Sequence, residues 1–212
     1  GALQARAMLE SGAVSSQRMA EIAARSHNNA LDSAHAVRKG AVSVDDMLAS
    51  SVVADPLRAS DIPARADGGV AMVLAAGDRA ASLCDRPVWI RGIDHRIDSH
   101  SLSARDLTTA PSAAIAAERA GVARDKIDLA ELHGPFTHQE HIIEQHLGLD
   151  DEVTSINPSG GALAGHTMMA AGLMRIAEAA DRIAAGDGDR GVAHATSGPL
   201  LQQNLVCVLE GA

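Results

Sequence analysis

Apolar residues recur every three to four positions along several stretches of the chain, which is the spacing of one helix face. The longest stretch predicts a helix whose apolar face comprises Met169, Leu173, Ile176, Ala180 and Ile183. Gly186 follows at the position of a C-terminal cap. The same spacing predicts further helices before Gly12, after Ser15 or Ser16, after Ser43, and over residues 78–83, 111–120 and about 137–147.

Short apolar runs bounded by turn residues predict strands between these helices. The predicted strands cover residues 70–74, 88–90 and 127–132, and two closing strands lie near residues 191–194 and 204–209. Residues 94–110 are polar and predict a loop. Strands that alternate with helices predict an α/β layered fold with a mixed sheet.

A break in the pattern at Asp85-Arg86-Pro87 predicts a domain boundary. The expected division is a first unit over residues 1–86 and a second over residues 87–212. The chain begins at Gly1 inside a helical pattern, so we expect it to be a piece of a larger protein or a subunit of a split one.

Composition narrows the class of protein. The 212 residues allow one large domain or two modest ones, and with 1% aromatic residues the core has to be aliphatic. The formal net charge of −9 argues against non-specific nucleic-acid binding. No apolar run approaches the ~20 residues that span a bilayer, and no signal peptide is visible. The two cysteines are far apart and form no disulfide framework, so we expect a cytoplasmic protein.

A glycine-rich turn, Asn157-Pro158-Ser159-Gly160-Gly161, lies shortly before Gly165 and His166. Gly160 and Gly161 let the backbone approach a ligand or another strand closely. The turn delivers His166 to the start of the longest predicted helix, and many enzymes place a reactive group in a pocket in this way. A second interpretation stays open from the residues alone: a tight turn whose histidine only fills space.

Two further histidines end predicted strands. His133 precedes Gly134 and Pro135, at a carboxyl end of a strand, where ligands gather in α/β sheets. This position favours a functional role for His133 over a buried structural one. His194 lies beside the turn that contains Ser197 and Gly198.

The remaining titratable candidates are weaker. His138 and His141 lie three residues apart on one predicted helix, so a metal site is conceivable. Two ligands on one turn do not make a site, and a solvated helix face is the preferred interpretation, so we expect no metal. Cys207 lies in an apolar strand, where a thiol behaves as a small hydrophobe. Cys84 lacks the basic surroundings that activate a thiol.

Three segments resemble the thiolase superfamily. Residues 157–166 resemble its N-P-S-G-G…G-H-P signature, with Thr167 in place of the proline. Residues 193–204 resemble the A-H-x-T-S-G-P-x-x-Q-Q-N ending of its sterol-carrier or lipid-transfer branch. His133 resembles the histidine of the H-D-A-F-T motif in that branch, although Gly134-Pro135 replaces the Asp-Ala pair.

The resemblance implies a thiolase-like layered αβαβα fold, of which this chain would supply the C-terminal αβα half and the end of the N-terminal half. It implies acyl-CoA C-acyltransferase activity, that is, Claisen-type condensation or thiolytic cleavage of CoA thioesters, with His133 and His166 as catalytic residues. The substrate is then an acyl-CoA, and no separate cofactor is expected. The residues expected to bind it are Gly160, Gly161, His194, Ser197 and Gly198.

The resemblance also implies partners. The nucleophilic cysteine of the family lies in the N-terminal domain, so the expected partner is a missing N-terminal thiolase domain or subunit. A homo-oligomer such as a homodimer is expected, and a small OB-fold protein associated with acyl-CoA is a further candidate partner.

Two alternatives stay open. A degenerate, lipid-transfer type of thiolase would bind acyl-CoA or sterol-CoA without turnover, which the absence of a cysteine beside Ser197 favours. A zinc protein would use His138 and His141.

Overall fold

The computed structural model describes all 212 residues. In the first part of the chain, residues 1–86, helices are the main regular elements. Its helices are α1 (Ala2–Glu10), α2 (Ser16–Asn29), α3 (Val44–Ala49) and α4 (Gly77–Leu83), and a short hairpin pairs β1 (Val52–Ala54) with β2 (Leu57–Arg58). Ser15 caps α2, because its hydroxyl accepts a hydrogen bond of 3.0 Å from the backbone N–H of Arg18. Ser43 and Asp46 form a reciprocal cap at the start of α3. The helices predicted in this part are confirmed.

Residues 70–74, predicted as a strand, form no backbone ladder within the chain. Val73 is 93% exposed and Leu74 is 73% exposed. A strand needs the N–H and C=O groups of a neighbouring strand, and no other segment of the chain pairs with this one. The segment is therefore not a strand within this chain, and its pairing with a strand from outside the chain stays a prediction.

The second part of the chain contains a five-stranded mixed sheet. Its strands are β3 (Val88–Ile97), β4 (Leu129–Leu132), β5 (Ser155–Ile156), β6 (Arg190–Ser197) and β7 (Gln203–Gly211), in the spatial order β3-β7-β6-β4-β5. β7 is antiparallel to β3 and β6, whereas β4 is parallel to β5 and β6. The predicted mixed sheet is confirmed. The predicted loop is wrong over residues 94–97, because each of them pairs with a residue of β7.

Helices cover both faces of this sheet. They are α5 (Pro111–Ala120), α6 (Thr137–Leu147), the short α7 (Gly161–Ala164) and α8 (Ala171–Ala185). Along β7, Val206 and Val208 pack with α5 and α6, whereas Cys207 and Leu209 pack with α8. The result is one αβα sandwich, as expected for half of a five-layered fold. No helix combines the length and the apolar composition needed to cross a bilayer.

The hydrophobic core extends across the proposed domain boundary. Met8 of α1 and Met19 of α2 belong to the same buried cluster as Val206 and Val208 of β7. α1 and α2 therefore pack on the layer that contains α5 and α6. The division at residue 86 stays a prediction.

The longest predicted helix begins later than its apolar pattern indicated. Met168 adopts a positive φ of 54°, and residues 168–170 form a separate 3₁₀ turn, so α8 starts at Ala171. Met169 is consequently 99% exposed and does not lie on the buried helix face, and Leu173 is 41% exposed. The end is as predicted, because Gly186 caps the helix with a left-handed φ of 93°.

Candidate active site

The imidazoles of His133 and His166 lie side by side, with ring centroids 5.1 Å apart and ring planes tilted by 52°. His133 directly follows β4, and His166 lies between α7 and α8. The structure thus brings together the two residues that the sequence analysis singled out as catalytic. Their catalytic role stays a prediction.

The ring of His133 is held in one tautomer. Its Nδ1 accepts a hydrogen bond of 3.3 Å from the backbone N–H of Thr196, and its own backbone N–H donates to the carbonyl of His194 at 3.1 Å. A backbone N–H can only donate, so the imidazole proton lies on Nε2. Nε2 is buried and has no partner within the protein. Burial, and then the neighbouring His166, lower the pKa of His133 to about 3, so the ring is neutral.

His166 is held by its backbone. Its N–H donates to the carbonyl of Ala64 at 2.7 Å, and its carbonyl accepts from the N–H of Ala66 at 3.1 Å. These bonds form a short parallel bridge between Arg65 and His166. The ring is half-buried, and burial lowers its pKa, followed by the charge of Arg175. Residues 64–66 match no periodic pattern, so their role in anchoring the site could not be predicted from the sequence.

The glycine-rich turn requires its glycines for shape. Gly160 has a φ of 93° and Gly161 a φ of 63°, both in the left-handed region. A Cβ on Gly160 would lie 2.6 Å from the Cβ of Ala30, and one on Gly161 would lie 2.6 Å from Nδ2 of Asn157. Both glycines are buried, so the contacts that the structure shows for them are packing contacts. Substrate binding at Gly160 and Gly161 stays a prediction.

His194 is fully buried in β6, and its Nε2 lies 2.9 Å from Oδ1 of Asn204. The Asn204 amide nitrogen donates to Ser112 and to the carbonyl of Leu201, which leaves Oδ1 as the acceptor for the His194 Nε2–H. Burial lowers the pKa of His194 to about 4, so this ring is neutral as well. The role of His194 in substrate binding stays a prediction.

The turn after β6 is open to solvent. Ser197 and Gly198 are exposed, and Gly198 adopts a φ of 72°. Arg105 donates to the carbonyls of Pro199 and Leu200 and thereby holds the turn. Exposure leaves Ser197 and Gly198 accessible to a ligand, and their proposed binding role stays a prediction.

The solvated helix face predicted for His138 and His141 is wrong. His138 is completely buried, with its ring 5.7 Å from that of Phe136. His141 is half-buried, and its Nε2 lies 3.2 Å from the carbonyl oxygen of Ala13. The physical reason is that α1 and α2 pack over α6, which a reading of α6 alone could not show. No group of three or more His, Cys, Asp or Glu side chains is arranged to hold a metal ion.

Neither cysteine has the surroundings of a nucleophile. Cys207 is buried, and burial raises the pKa of its thiol to about 11, which keeps it protonated at neutral pH. Cys84 is exposed beyond the end of α4 and makes no side-chain hydrogen bond.

Sequence reasoning missed a buried polar cluster next to the imidazoles. Oε2 of Glu131 lies 2.6 Å from Nη1 of Arg175 and accepts a hydrogen bond of 2.7 Å from the Ser159 hydroxyl. In the sequence Glu131 lies between apolar residues of β4, a pattern that does not distinguish a solvated carboxylate from a buried, paired one. α8 covers the face of β4 that carries Glu131, and only the tertiary structure shows Arg175 there.

The arrangement suits the stabilisation of negative charge on an oxygen. Nε2–H of His133 is a neutral donor with no partner in the protein, and the ring of His166 lies next to it. Preorganised donors at the position where an oxyanion develops are a large source of catalysis. A second neutral imidazole can also accept or return a proton.

Known proteins are similar to this chain over most of its length. The family profile described as "Thiolase, C-terminal domain" matches residues 93–207, more than half of the chain. The acetyl-CoA acetyltransferase of Methanothermobacter thermautotrophicus is 29% identical, over 93% of this chain and 57% of that protein. Benzoylsuccinyl-CoA thiolase subunit BbsB of Thauera aromatica is 28% identical, over 81% of this chain and 50% of that subunit.

Solved structures show the same fold. The crystal structure of the Bacillus anthracis acetyl-CoA acetyltransferase superposes with a TM-score of 0.78 at 17% identity, over 99% of this chain and 59% of that one. A structure titled Ltp2-ChsH2(DUF35) aldolase superposes with a TM-score of 0.82 at 18% identity, over 99% of this chain and 62% of that one. The layered α/β fold expected from the sequence is confirmed. The chain spans between 50% and 57% of the length of the two curated relatives.

Proposed function

The chain belongs to the thiolase family, and from this premise we propose that it is the C-terminal part of an acyl-CoA C-acyltransferase. The reaction is Claisen-type condensation of CoA thioesters or the reverse, thiolytic cleavage. The substrate is an acyl-CoA, and no further cofactor takes part. Two relatives carry acetyl-CoA acetyltransferase and CoA thiolase in their names, which supports this class of substrate.

In this proposal His133 and His166 act on the thioester oxygen. Removal of the α-proton gives an enolate whose negative charge lies largely on that oxygen. Nε2–H of His133, which has no partner in the protein, donates to the oxygen, and the ring of His166 supplies a second donor or moves the proton. The exposed turn of Ser197 and Gly198 faces solvent and offers backbone and hydroxyl groups to the CoA thioester.

The nucleophilic cysteine has to come from elsewhere. Cys207 is buried with a raised pKa, and Cys84 is exposed and makes no side-chain hydrogen bond, so we propose that an N-terminal thiolase domain or subunit supplies the thiolate. We propose further that the protein forms a homodimer in the cytoplasm and belongs to the sterol-carrier branch. The exposed apolar side chains of β3, Ile93 and Ile97, support association.

A small companion protein is a further proposal. One solved structure of the same fold is titled Ltp2-ChsH2(DUF35), which names a second component in that assembly. We propose that this chain also associates with a small OB-fold protein that contacts its acyl-CoA.

The observation that carries the proposed function is the neutral His133–His166 pair with its free Nε2–H donor. The test is thiolysis of a 3-ketoacyl-CoA by the protein that contains this chain together with its N-terminal domain, followed by mass analysis of the acyl-CoA products. Chain-shortened acyl-CoA supports the proposal. Saturable acyl-CoA binding with no product of either direction would instead identify a lipid-transfer protein.

A further inference from the structure

A buried ion pair lies behind the two imidazoles. Glu131 is fully buried and Arg175 is 3% exposed, and their charged atoms Oε2 and Nη1 are 2.6 Å apart. Ser159, 4% exposed, joins them: its backbone N–H and its hydroxyl donate to the Glu131 carboxylate at 2.9 and 2.7 Å. Nη1 of Arg175 also donates to the Ser159 hydroxyl oxygen at 2.7 Å. We refer to these residues as the Glu131–Ser159–Arg175 cluster.

The cluster connects the three elements that carry the candidate site. Glu131 lies on β4, two residues before His133. Ser159 lies in the glycine-rich turn that leads to His166. Arg175 lies on α8, which begins after His166. A movement of any one element relative to the others would break at least one of these hydrogen bonds.

Stability alone does not explain charged groups at this place. The neighbouring contacts between the sheet and α8 are apolar, made by Leu129, Ala193 and Ile183. Removing an ion pair from water is costly, and well-packed apolar side chains in the same volume are often equally stable or more so. Apolar packing tolerates small shifts, whereas a hydrogen-bonded cluster of charged groups is satisfied in only one geometry.

We propose that Glu131, Ser159 and Arg175 are positioning residues that fix the distance and orientation of His133 relative to His166. The proposal rests on the proposed function, in which these two imidazoles act on one thioester oxygen. The three residues do not themselves touch the substrate. They affect turnover, because the imidazoles of His133 and His166 must both reach the thioester oxygen while its negative charge develops.

The charge of Arg175 has a second, supporting consequence. Burial is the largest cause that lowers the pKa of His166, and the Arg175 guanidinium lowers that pKa further. Burial, His166, His194 and then Arg175 lower the pKa of His133. Both rings therefore stay neutral, so each retains a lone pair as well as an N–H donor.

The test compares Arg175→Met, Glu131→Gln and the double variant with the matched control Arg190→Met in the protein that contains this chain. Arg190 is 8% exposed and pairs with Glu210 at 3.0 Å, but it is the first residue of β6, whereas Thr196, which contacts His133, lies near the end of that strand. We expect kcat for 3-ketoacyl-CoA thiolysis to fall by about 10²-fold in both single variants, with KM changed little, as for a small displacement of catalytic groups. The control should keep the wild-type kcat.

Two further variants separate positioning from folding. The double variant removes both charges, so we expect its melting temperature to recover relative to the singles while its kcat stays low. Arg175→Lys should restore part of the kcat, because a single nitrogen of Arg175 makes both contacts and a lysine can supply one. A double variant that regained both stability and kcat, or an Arg175→Met variant with wild-type kcat, would overturn the proposal.

A readout independent of turnover distinguishes this proposal from the proposed function. In ¹⁵N spectra of the histidine side chains, we expect one Nδ1 and one Nε2 resonance for each of His133 and His166, in the wild type and in Arg190→Met. In Arg175→Met these resonances should broaden or split, because the rings take more than one position. Unchanged resonances refute the positioning role even if the wild type proves active. An inactive wild type whose resonances split in Arg175→Met refutes the proposed function and leaves the positioning role standing.

Discussion

Oδ1 of Asn157 accepts a hydrogen bond of 2.6 Å from the backbone N–H of Leu132, the residue directly before His133. The Asn157 backbone N–H donates to Ala130 of the same strand at 2.7 Å, and its carbonyl accepts from Gly160 at 2.8 Å. Asn157 does this at a φ of 48°, which asparagine tolerates better than most residues. One side chain therefore joins the glycine-rich turn to the strand that ends at the candidate site.

Asn157→Ala should lower both stability and turnover. The variant leaves the buried N–H of Leu132 without a partner, which costs about 1–3 kcal/mol. The measurement is urea unfolding together with kcat. The matched control is Asn28→Ala, because Asn28 is exposed and pairs only with the backbone of Val42. Equal losses in the two variants would contradict a special role for Asn157.

His133→Ala and His166→Ala should each slow turnover far more than they weaken substrate binding. Loss of one oxyanion donor costs about 10²–10³ in kcat. We expect the larger effect at His133, whose Nε2–H is held in place by the bond from Thr196. His141→Ala is the control, since its ring is half-buried against Ala13, in the loop between α1 and α2. Small and equal effects at all three positions would make His133 and His166 structural residues.

Gly134→Ala should destabilise the protein, although the substitution removes no functional group. A Cβ at Gly134 would lie 2.6 Å from the Cα of Glu140, and backbone atoms of α6 cannot move aside easily. Overpacking of this kind costs about 1–3 kcal/mol. Gly69→Ala is the matched control, because a Cβ there meets nothing within 4 Å. Equal melting temperatures for the two variants would contradict the prediction and show that the backbone around Gly134 shifts to accommodate the added methyl group.

Stability should fall as the solution is acidified below about pH 6.5. Burial lowers the pKa of His133 and His138 to about 3 and that of His194 to about 4, from 6.5. Between these values the unfolded chain binds protons that the folded chain does not, so acid favours unfolding. Glu140 acts in the opposite direction, since burial raises its pKa to about 7 and its folded form holds a proton between pH 4.5 and 7.

For these four groups, three protons taken up by the unfolded chain against one held by the folded chain leave a net of two, which corresponds to about 3 kcal/mol per pH unit. The measurement is the free energy of unfolding in urea from pH 7 to pH 4.5. His138→Phe should reduce the slope by one proton, whereas substitution of the exposed His100 by Gln should leave it unchanged. A free energy of unfolding that does not change with pH would contradict the prediction, because it would mean that these histidines bind protons in the folded chain as readily as in the unfolded chain.

Cys84→Ala and Cys207→Ala should leave turnover unchanged in the complete protein, and this chain alone should have no thiolase turnover. The reason is that one thiol is exposed without an activating neighbour and the other is buried with a raised pKa. The measurement is thiolysis of a 3-ketoacyl-CoA by each variant. Turnover by this chain alone that disappears with either substitution would contradict the expectation.

The sequence by itself determined the local structure and the candidate residues. Helical spacing, Ser15, Ser43 and Gly186 located helices and caps, because these signals depend on neighbours within about four residues. The glycine-rich turn identified His166 as a candidate, and its catalytic role stays a prediction. The resemblance around this turn indicated the layered fold, which the comparisons confirm.

The tertiary structure decided which side chains meet and which are covered. His133 and His166 become neighbours only when β4 and the segment after α7 pack together. His138 is buried rather than solvated because α1 and α2 cover α6, and Glu131 is paired because α8 brings Arg175 to it. The apolar run at residues 70–74 remained without a strand partner. Periodicity records only which side of an element is apolar, whereas burial and pairing depend on segments that are distant in sequence.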